Sequence, residues 1–257
     1  MRSAATRRRS RQTREAFVKP PRNSPTGPTT TRTKELKQER AIRSRHNILL
    51  AAGRAFAERG YQAVTMHDVA ELSGMTKGAV YFHYTSKESL AVAVSAEFAG
   101  RLPALSDAVA QLALPPVASV TELLLRTAAA LRDEPLMKAG ARLQIERGLI
   151  DVELPLPFED YTALIAAWLQ GALTAGDLEH STPPEPLARV LVSAFFGAQL
   201  LSWMADDRTD IIERTVEVLH AVVPCTRDPR HISPYLREAA TTRGPHGHGR
   251  TAARATP

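Results

Sequence analysis

The stretch GMTKGAVYFHYTSKESL, from Gly74 to Leu90, decides how this chain folds. It holds two lysines and four consecutive aromatic rings, although Phe, Trp and Tyr make up only 5% of the chain. Thr76 can cap a short helix on KGAVYFHY, and Thr85 with Glu88 has the T-x-x-E spacing of a capping box for a following helix on SLAVAVSAEFAG. The stretch therefore predicts two consecutive helices, the first of them rich in rings.

The residues before this stretch predict two more helices. Apolar residues recur at helical spacing from Ile42 to Phe56, and Gly60 is a natural C-cap. Thr65 then opens TMHDVAELSG, with Asp68 three residues on as in a capping box. A short helix, a glycine-containing turn and a second short helix follow in the order of a helix-turn-helix motif.

The rest of the chain predicts helices and no strands. No alternating apolar run and no internal repeat is found. Further helices are predicted over residues 117–133, 135–150, 160–175, 186–205 and 208–222. We therefore expect an all-α protein: a disordered basic arm (1–35), a helix-turn-helix domain (36–100), a larger helical bundle (101–225) and a disordered tail (226–257).

Positive charge is concentrated at the N-terminal end. The chain carries a net charge of +6, but residues 1–45 hold 14 Lys and Arg against 3 Asp and Glu, which leaves 19 against 24 for the remainder. A cationic segment is attracted to polyanions, because each phosphate that it neutralises releases condensed counterions. Nucleic acid is the first candidate partner and a membrane surface the second, and residues 2–22 would add phosphate or minor-groove contacts.

Several classes of function receive no support from the sequence. The single cysteine, Cys225, excludes an intramolecular disulfide framework and fits a reducing cytosol. The apolar run from Val190 to Met204 is too short to cross a bilayer, and no apolar segment follows RRRSRQTRE, so we expect no membrane association. No nucleophile elbow or phosphate loop is present, and His246 and His248 are interpreted as solvated, so we expect neither an enzyme nor a metal or other cofactor. A non-specific basic packaging or RNA-binding protein remains a rival.

The ring-rich helix can be divided by function if it lies in a major groove. Lys77 can reach a guanine edge or a phosphate, and the Tyr81 hydroxyl and His83 ring can bond phosphate oxygens. We expect Val80 and Phe82 to hold the helix against its own domain. A lysine in the first turn of a helix opposes the helix dipole, so a phosphate bound there would suit Lys87.

Residues 40–98, above all TMHDVAELSGMTKGAVYFHYTSKESLAVAV, resemble the DNA-binding domain of the TetR family of one-component repressors. The resemblance implies a cytoplasmic, nucleoid-associated homodimer whose two recognition helices sit about 34 to 36 Å apart on a palindromic operator. Together with the spacing, it gives the predicted DNA-binding residues: Thr65, Thr76, Lys77, Gly78, Ala79, Tyr81, His83, Tyr84 and Lys87.

The C-terminal half resembles a narrower group. AGARLQIERGLIDVELPLPFEDYTALI and ARVLVSAFFGAQLLSWM are similar to the receptors for γ-butyrolactone, butenolide and furan autoregulators, which control antibiotic production in actinobacteria. The resemblance implies that the bundle (101–225) is a ligand-binding and dimerisation domain and that a small hydrophobic autoregulator is a further partner. The predicted ligand-binding residues are Gln144, Phe158, Tyr161, Trp168 and Phe98. The predicted dimer-interface residues are Phe195, Phe196, Gln199, Trp203, Val216 and Leu219.

The chain departs from the receptor pattern at three positions. Tyr161 stands where a tryptophan is expected, and Ala99 and Phe158 stand where phenols are expected. Missing hydroxyl donors would leave the acceptors of a polar autoregulator unpaired, at about 1 to 3 kcal/mol each. Two alternatives therefore stay open: a repressor that an autoregulator releases, or a pseudo-receptor that represses without answering the usual autoregulator.

Overall fold

The computed structural model describes residues 29–178, 183–228 and 233–235. The arm up to residue 28 and most of the tail, with His246 and His248, lie outside these residues. By its internal contacts the chain divides into two units, Met1–Ala41 and Ile42–Pro257. All packing described below lies within the second unit.

The described residues form nine α-helices, two short 3-10 helices and no strand, which confirms the all-α prediction. The α-helices are α1 (Thr29–Ala63), α2 (Met66–Ser73), α3 (Lys77–His83), α4 (Lys87–Ala110), α5 (Pro116–Asp133), α6 (Pro135–Ile145), α7 (Phe158–Ala175), α8 (Pro184–Asp206) and α9 (Ile211–Val222). The 3-10 helices are Arg147–Leu149 and Pro224–Arg227. The helix expected over residues 135–150 thus ends early, at Ile145.

Helix α1 differs from its expected bounds at both ends. It begins at Thr29, within the segment expected to be disordered. Its first turn is rich in threonine, and the strong helix formers start only at Lys34, with the run KELKQER. At Gly60 the backbone leaves helical geometry (φ 81°, ψ 170°), in line with the predicted C-cap, and a further short helical piece continues past this kink to Ala63. The φ value lies in the region that favours glycine, so Gly60 marks a bend in α1.

Helix α4 begins and ends differently from the prediction. Its N-cap is Ser86, whose hydroxyl accepts from the Ser89 amide, so the expected Thr85–Glu88 capping box is wrong. Glu88 instead accepts a hydrogen bond from the Tyr61 hydroxyl. The helix also continues through Pro103 to Ala110, because apolar packing on both sides of the proline offsets the one hydrogen bond that proline removes.

Part of the segment expected to be a disordered tail is bonded to the bundle. The Ser233 hydroxyl and the Tyr235 amide both donate to the carboxylate of Glu122, at 2.6 and 2.9 Å. Glu122 is fully buried on α5 and is also paired with Arg126 at 2.6 Å. A buried carboxylate requires such partners, so the chain near residue 233 is fixed by the need to satisfy Glu122.

Two hydrophobic cores share helices α4 and α6. The first core is formed by α1 to α4 with Ala139 and Leu143 of α6. The second begins at Phe98 of α4 and includes α5 to α9. The expected boundary at residue 100 falls inside α4, and the division into 36–100 and 101–225 stays a prediction.

The contact between α4 and α6 is close because α6 presents small residues to α4. A Cβ atom on Gly140 would lie 2.2 Å from the Cβ atom of Phe98, which is far too close for two carbon atoms that are not bonded to each other. Phe98 is fully buried, so it has no open space into which to move. Gly140 therefore sets the distance between the two helices that both cores share.

We expect Gly140→Ala to lower the free energy of unfolding by about 1 to 3 kcal/mol, because the added methyl group overpacks the α4–α6 contact. Gly100→Ala, where nothing lies within 4 Å of the added methyl group, is the matched control. It should be neutral or stabilising by up to about 1 kcal/mol, since alanine is the better helix former. Urea denaturation compares the two, and equal midpoints for both variants would contradict the argument.

Candidate nucleic-acid interface and ligand cavity

Local hydrogen bonds fix the arrangement of α2 and α3. Thr65 caps α2: its hydroxyl accepts from the Asp68 amide at 3.2 Å, and the Asp68 carboxylate accepts from the Thr65 amide at 2.7 Å, as the capping box predicted. Gly74 ends α2 with φ 65°. Thr76 then caps α3 by accepting from the Ala79 amide at 3.2 Å. The helix-turn-helix geometry thus follows from residues that are close in sequence.

Helix α3 has one buried face. Val80 and Tyr84 are 0% and 4% exposed and pack into the first core. The predicted DNA contact of Tyr84 is therefore wrong, because its ring faces the protein interior. Phe82 was expected in the core, but it is 81% exposed. The reason is helical geometry: Phe82 is two residues from both Val80 and Tyr84, about 200° around the helix from each.

The opposite face of α3 carries the surface groups. We define the α3 face as Lys77, Gly78, Tyr81 and Phe82, all of which are exposed. The Lys77 ammonium lies 6.0 Å from the Tyr81 ring centroid, and the Phe82 ring meets the His83 ring edge-on at 5.2 Å. The other predicted contacts, Thr65, Thr76, Ala79, His83 and Lys87, are exposed or partly exposed beside this face. This face therefore combines a cation, two large rings and a position with no side chain.

Lys87 has partners within the protein. Its ammonium donates to the Tyr61 carbonyl at 3.1 Å and lies 4.2 Å from the centroid of the Tyr61 ring. The Tyr61 hydroxyl donates to Glu88 at 2.7 Å; this bond lowers the pKa of Glu88, and burial with the Glu88 charge raises the pKa of Tyr61. The ammonium has three N–H donors, so Lys87 retains donors for a phosphate.

A cavity of about 370 Å³ lies between α4, the segment before α7 and α7 itself. Its lining is Ala99, Leu102, Pro103, Ser106, Pro155, Leu156, Pro157, Asp160, Tyr161 and Leu164. Tyr161 is the one predicted ligand residue in this lining, and Ala99, noted above for lacking a phenol, also lines it. Leu102 and Ser106 were missed because α4 was expected to end before Pro103, although Ala99, Leu102 and Ser106 recur at helical spacing.

The remaining aromatic candidates lie beside this cavity. Phe98 is fully buried, and its ring centroid lies 6.4 Å from that of Phe158, which lies 4.8 Å from that of Phe196. Phe158 and Phe196 also line a second cavity of about 350 Å³. Trp168 is partly buried against the second core. Of the predicted ligand residues Phe98, Phe158 and Trp168, therefore, only Phe158 lines a cavity, and Phe98 and Trp168 belong to the packing of the second core.

Two polar side chains near the cavity differ in what they can offer a ligand. The Tyr161 hydroxyl is buried and bonded to the Thr127 hydroxyl at 2.9 Å, and burial raises its pKa. The Gln144 amide donates to the Pro155 carbonyl at 2.9 Å, but its buried Oε1 atom has no partner among the described residues. An unpaired buried acceptor costs about 1 to 3 kcal/mol. Gln144 does not itself line the cavity, so this unused acceptor lies behind Pro155 of the cavity wall.

Three predicted interface residues lie in the interior. Phe195, Gln199 and Leu219 are at most 3% exposed, and the Gln199 carbonyl accepts from the Arg208 guanidinium at 3.0 Å. They cannot meet a partner subunit because they fill the second core or bond within it. Phe196, Trp203 and Val216 are partly exposed, and the Trp203 ring lies between two guanidinium groups, each 5.2 Å from its centroid.

The outer face of α8 is apolar and exposed. Val190, Leu201 and Met204 are 56%, 58% and 72% exposed and recur at helical spacing. In the part of the chain that the structure describes, α8 is the one helix that is long and apolar enough to span a membrane. The inner face of α8, with Leu191 and Phe195, packs into the second core. The helix is therefore apolar on two faces, one that is buried in this core and one that is exposed.

No group of three or more His, Cys, Asp or Glu side chains suited to a metal ion occurs within residues 29–178, 183–228 and 233–235.

The fold and surface define a class: a helix-turn-helix protein whose exposed short helix is carried by a helical bundle with an apolar cavity.

Comparisons with known proteins specify the family. Residues 48–94 match the family described as bacterial regulatory proteins, tetR family. A solved structure described as "Molecular basis for control of antibiotic production by a bacterial hormones" is 48% identical, over 72% of this chain and 97% of that one, with a TM-score of 0.67. The chain belongs to the tetR family.

Two further relatives are similar over most of this chain. The A-factor receptor protein of Streptomyces griseus is 28% identical over 201 residues, which are 77% of this chain and 70% of the relative. The TetR family protein CprB from S. coelicolor A3(2) is 26% identical, over 79% of this chain and 97% of that one, with a TM-score of 0.67. The chain thus resembles the A-factor receptor within its family.

We expect Thr65→Val to raise the pKa of Asp68 from about 2 towards its ordinary value, because the Thr65 hydrogen bonds are the largest cause of the shift. Arg59→Met should raise it less, since the Arg59 contacts contribute less. A carboxyl whose pKa falls on folding stabilises the fold above its unfolded pKa of about 3.9, and that stabilisation is lost as the pH falls through about 2. Carboxyl NMR titration measures both variants, and the reverse order of the two shifts would contradict the assignment.

Proposed function

We propose that this protein is a homodimeric transcriptional repressor that binds a palindromic operator through the α3 face. The observation that carries the proposal is the exposure of Lys77, Tyr81 and Phe82 on a short helix fixed by two threonine caps. Membership of the tetR family of regulatory proteins supports it. The protein acts by binding rather than by catalysis, in the cytoplasm and associated with the nucleoid.

The α3 face suits a major groove in three ways. Lys77 can donate to a guanine edge or to a phosphate, and the Tyr81 hydroxyl to a phosphate oxygen. Gly78 has nothing within 4 Å of its Cβ position, so the backbone can approach the DNA closely. Phe82 has no polar group, so its complementary partner is the 5-methyl group of a thymine. The predicted contacts Thr65, Thr76, Ala79, His83 and Lys87 surround this face.

For the dimer we propose the exposed face of α8 as the centre of the interface. Val190, Leu201 and Met204 supply an apolar stripe that water would otherwise cover. Phe196, Trp203 and Val216, which are partly exposed, stay as further candidates outside this stripe. This assignment replaces the buried members of the predicted set.

We further propose that the repressor controls antibiotic or other secondary-metabolite genes and that a small, mainly apolar autoregulator releases it. Two similarities support this proposal. The solved structure that is 48% identical to this chain is described as concerning the control of antibiotic production by bacterial hormones, and the chain also resembles the A-factor receptor protein. The cavity volume of about 370 Å³ falls at the small end of the range for ligand pockets. The free Gln144 Oε1 atom would orient a ligand whose hydroxyl group reaches behind Pro155.

The second candidate is a pseudo-receptor, a repressor that the usual autoregulator does not release. The lack of free hydroxyl groups at three positions favours it. Ala99 lines the cavity without a hydroxyl group, Phe158 has none, and the Tyr161 hydroxyl is already bonded to Thr127. A polar autoregulator would thus find few donors. Such a repressor would bind the same operator without release by the usual signal.

Lys77→Ala and Phe82→Ala should each weaken binding to the DNA upstream of the protein's own gene, while Arg147→Ala, which removes an exposed cation from another surface, should not. Gel-shift titration at fixed salt measures this. The Phe82 effect should disappear on DNA in which uracil replaces thymine, because the methyl group is then already absent. A non-specific packaging protein would bind all variants equally, and an undiminished Phe82 effect on uracil DNA would refute the methyl contact.

Organic extract of the source culture should release the wild-type protein from the same DNA. Gln144→Leu should bind the DNA as the wild type does but resist release, because the ligand loses its acceptor. Gel shifts with and without extract test both points. A wild-type complex that persists in extract would favour the pseudo-receptor.

A further inference from the structure

The kink in α1 separates two groups that an uninterrupted helix would join. In an α-helix the Tyr61 amide would donate to the Ala57 carbonyl, four residues earlier. At the Gly60 kink each group has a partner from α6 instead. The Tyr61 amide donates to the Glu146 carboxylate at 2.6 Å, and the Ala57 carbonyl accepts from the Arg142 guanidinium at 3.0 Å.

The two partners are themselves an ion pair. Arg142 and Glu146 lie one turn apart at the end of α6, joined at 2.7 Å, with side chains only 19% and 18% exposed. The pair therefore fills the gap in the α1 hydrogen-bond ladder with two charge-assisted bonds, and a third joins its own two members. A Cβ atom on residue 60 would lie 2.5 Å from the Arg142 guanidinium and 2.6 Å from the Glu146 carboxylate, so a side chain there would have to push the pair aside. The φ value of 81° disfavours any residue but glycine at this position in addition.

Tyr61 connects this ion pair to the start of α4. The residue is 5% exposed, and it receives the Lys87 ammonium on its carbonyl and donates its hydroxyl to Glu88. Lys87 and Glu88 are the first two residues of α4. A short connection, residues 84–86, joins α4 to the end of α3. Displacement of Tyr61 would therefore displace the element that follows the α3 face directly.

We propose that Arg142 and Glu146 form a clamp that holds α1 bent at Gly60 and thereby positions α3 for DNA. Glu146 is then a positioning residue for operator binding. When the clamp opens, the Ala57–Tyr61 hydrogen bond can reform and straighten α1, which gives the element two arrangements. The DNA part of this inference rests on the function proposed above, and the structural part does not.

The clamp also gives the cavity a route to α3. Gln144 lies between Arg142 and Glu146 in sequence, and its amide holds the carbonyl of Pro155, a residue of the cavity wall. A ligand that moves the segment 155–157 would therefore act on the end of α6. A ligand shifts such an equilibrium only if it prefers one arrangement, so release requires a ligand that fits the cavity better with the clamp open.

Three variants test the clamp. Glu146→Ala removes the acceptor for the Tyr61 amide, and Glu146→Gln keeps an acceptor oxygen without the charge. Glu159→Ala, at an exposed position in the first turn of α7, is the control. Hydrogen exchange is measured on peptides covering residues 57–64 and 84–90, and affinity is measured for the upstream DNA and for random-sequence DNA of equal length.

For Glu146→Ala we expect exchange to rise at least tenfold in both peptides and affinity for the upstream DNA to fall by about tenfold, a typical size for coupling between sites. Affinity for random DNA should fall much less, because non-specific binding depends on the summed charge of all the cations near the DNA and not on the fit of α3 to particular bases. Glu146→Gln should be intermediate, and Glu159→Ala should match the wild type.

Other results would overturn the proposal. Unchanged exchange in Glu146→Ala would refute the clamp itself, and increased exchange with unchanged upstream affinity would refute its role in DNA binding. A parallel fall in both DNA affinities and in thermal stability would reduce Glu146 to a structural residue. If the wild type itself does not prefer the upstream DNA, the proposed function fails, and the exchange result still decides whether the clamp exists.

Discussion

The close packing of α4 against α6 is the contact on which the rest of the structure depends. Gly140 allows α6 to meet Phe98 of α4 without a side chain between them. Both helices contribute to both hydrophobic cores, so a change in their separation would disturb the packing around α3 and around the cavity together. A packed interior cannot absorb such a change gradually, because it has few voids into which side chains can move.

Helix α6 combines several tasks within two turns because its residues point in different directions. Ala139 and Leu143 pack into the first core, and Gln144 holds the Pro155 carbonyl at the cavity wall. Arg142 and Glu146 satisfy the two backbone groups separated by the bend in α1. The bend therefore has a physical cause in another part of the chain: α1 can stay open at Gly60 because charged groups from α6 replace its lost hydrogen bond.

The candidate DNA-binding surface could be predicted to the extent that it depends on local hydrogen bonds. The Thr65–Asp68 capping box, the Gly74 turn and the Thr76 cap each join residues a few positions apart, and their spacing predicts them. The exposure of Phe82 was wrongly predicted because hydrophobicity alone does not say which face of a short helix is buried. The cap of α4 was wrong because Glu88, which could have completed a capping box with Thr85, bonds to Tyr61 in α1.

By itself the sequence determined the helical class, the helix-turn-helix and the rings and lysine that it carries, because helix periodicity and caps act over a few residues. Only the tertiary structure decided that Phe82 faces outward, that Tyr84, Phe195 and Gln199 are interior, that α4 continues through Pro103, and that Arg142 and Glu146 bridge the bend in α1. Each of these depends on which distant side chain fills a space or completes a hydrogen bond. Tyr61 and Glu146, for example, are 85 positions apart, and no regular spacing in the sequence predicts a hydrogen bond between residues so far apart.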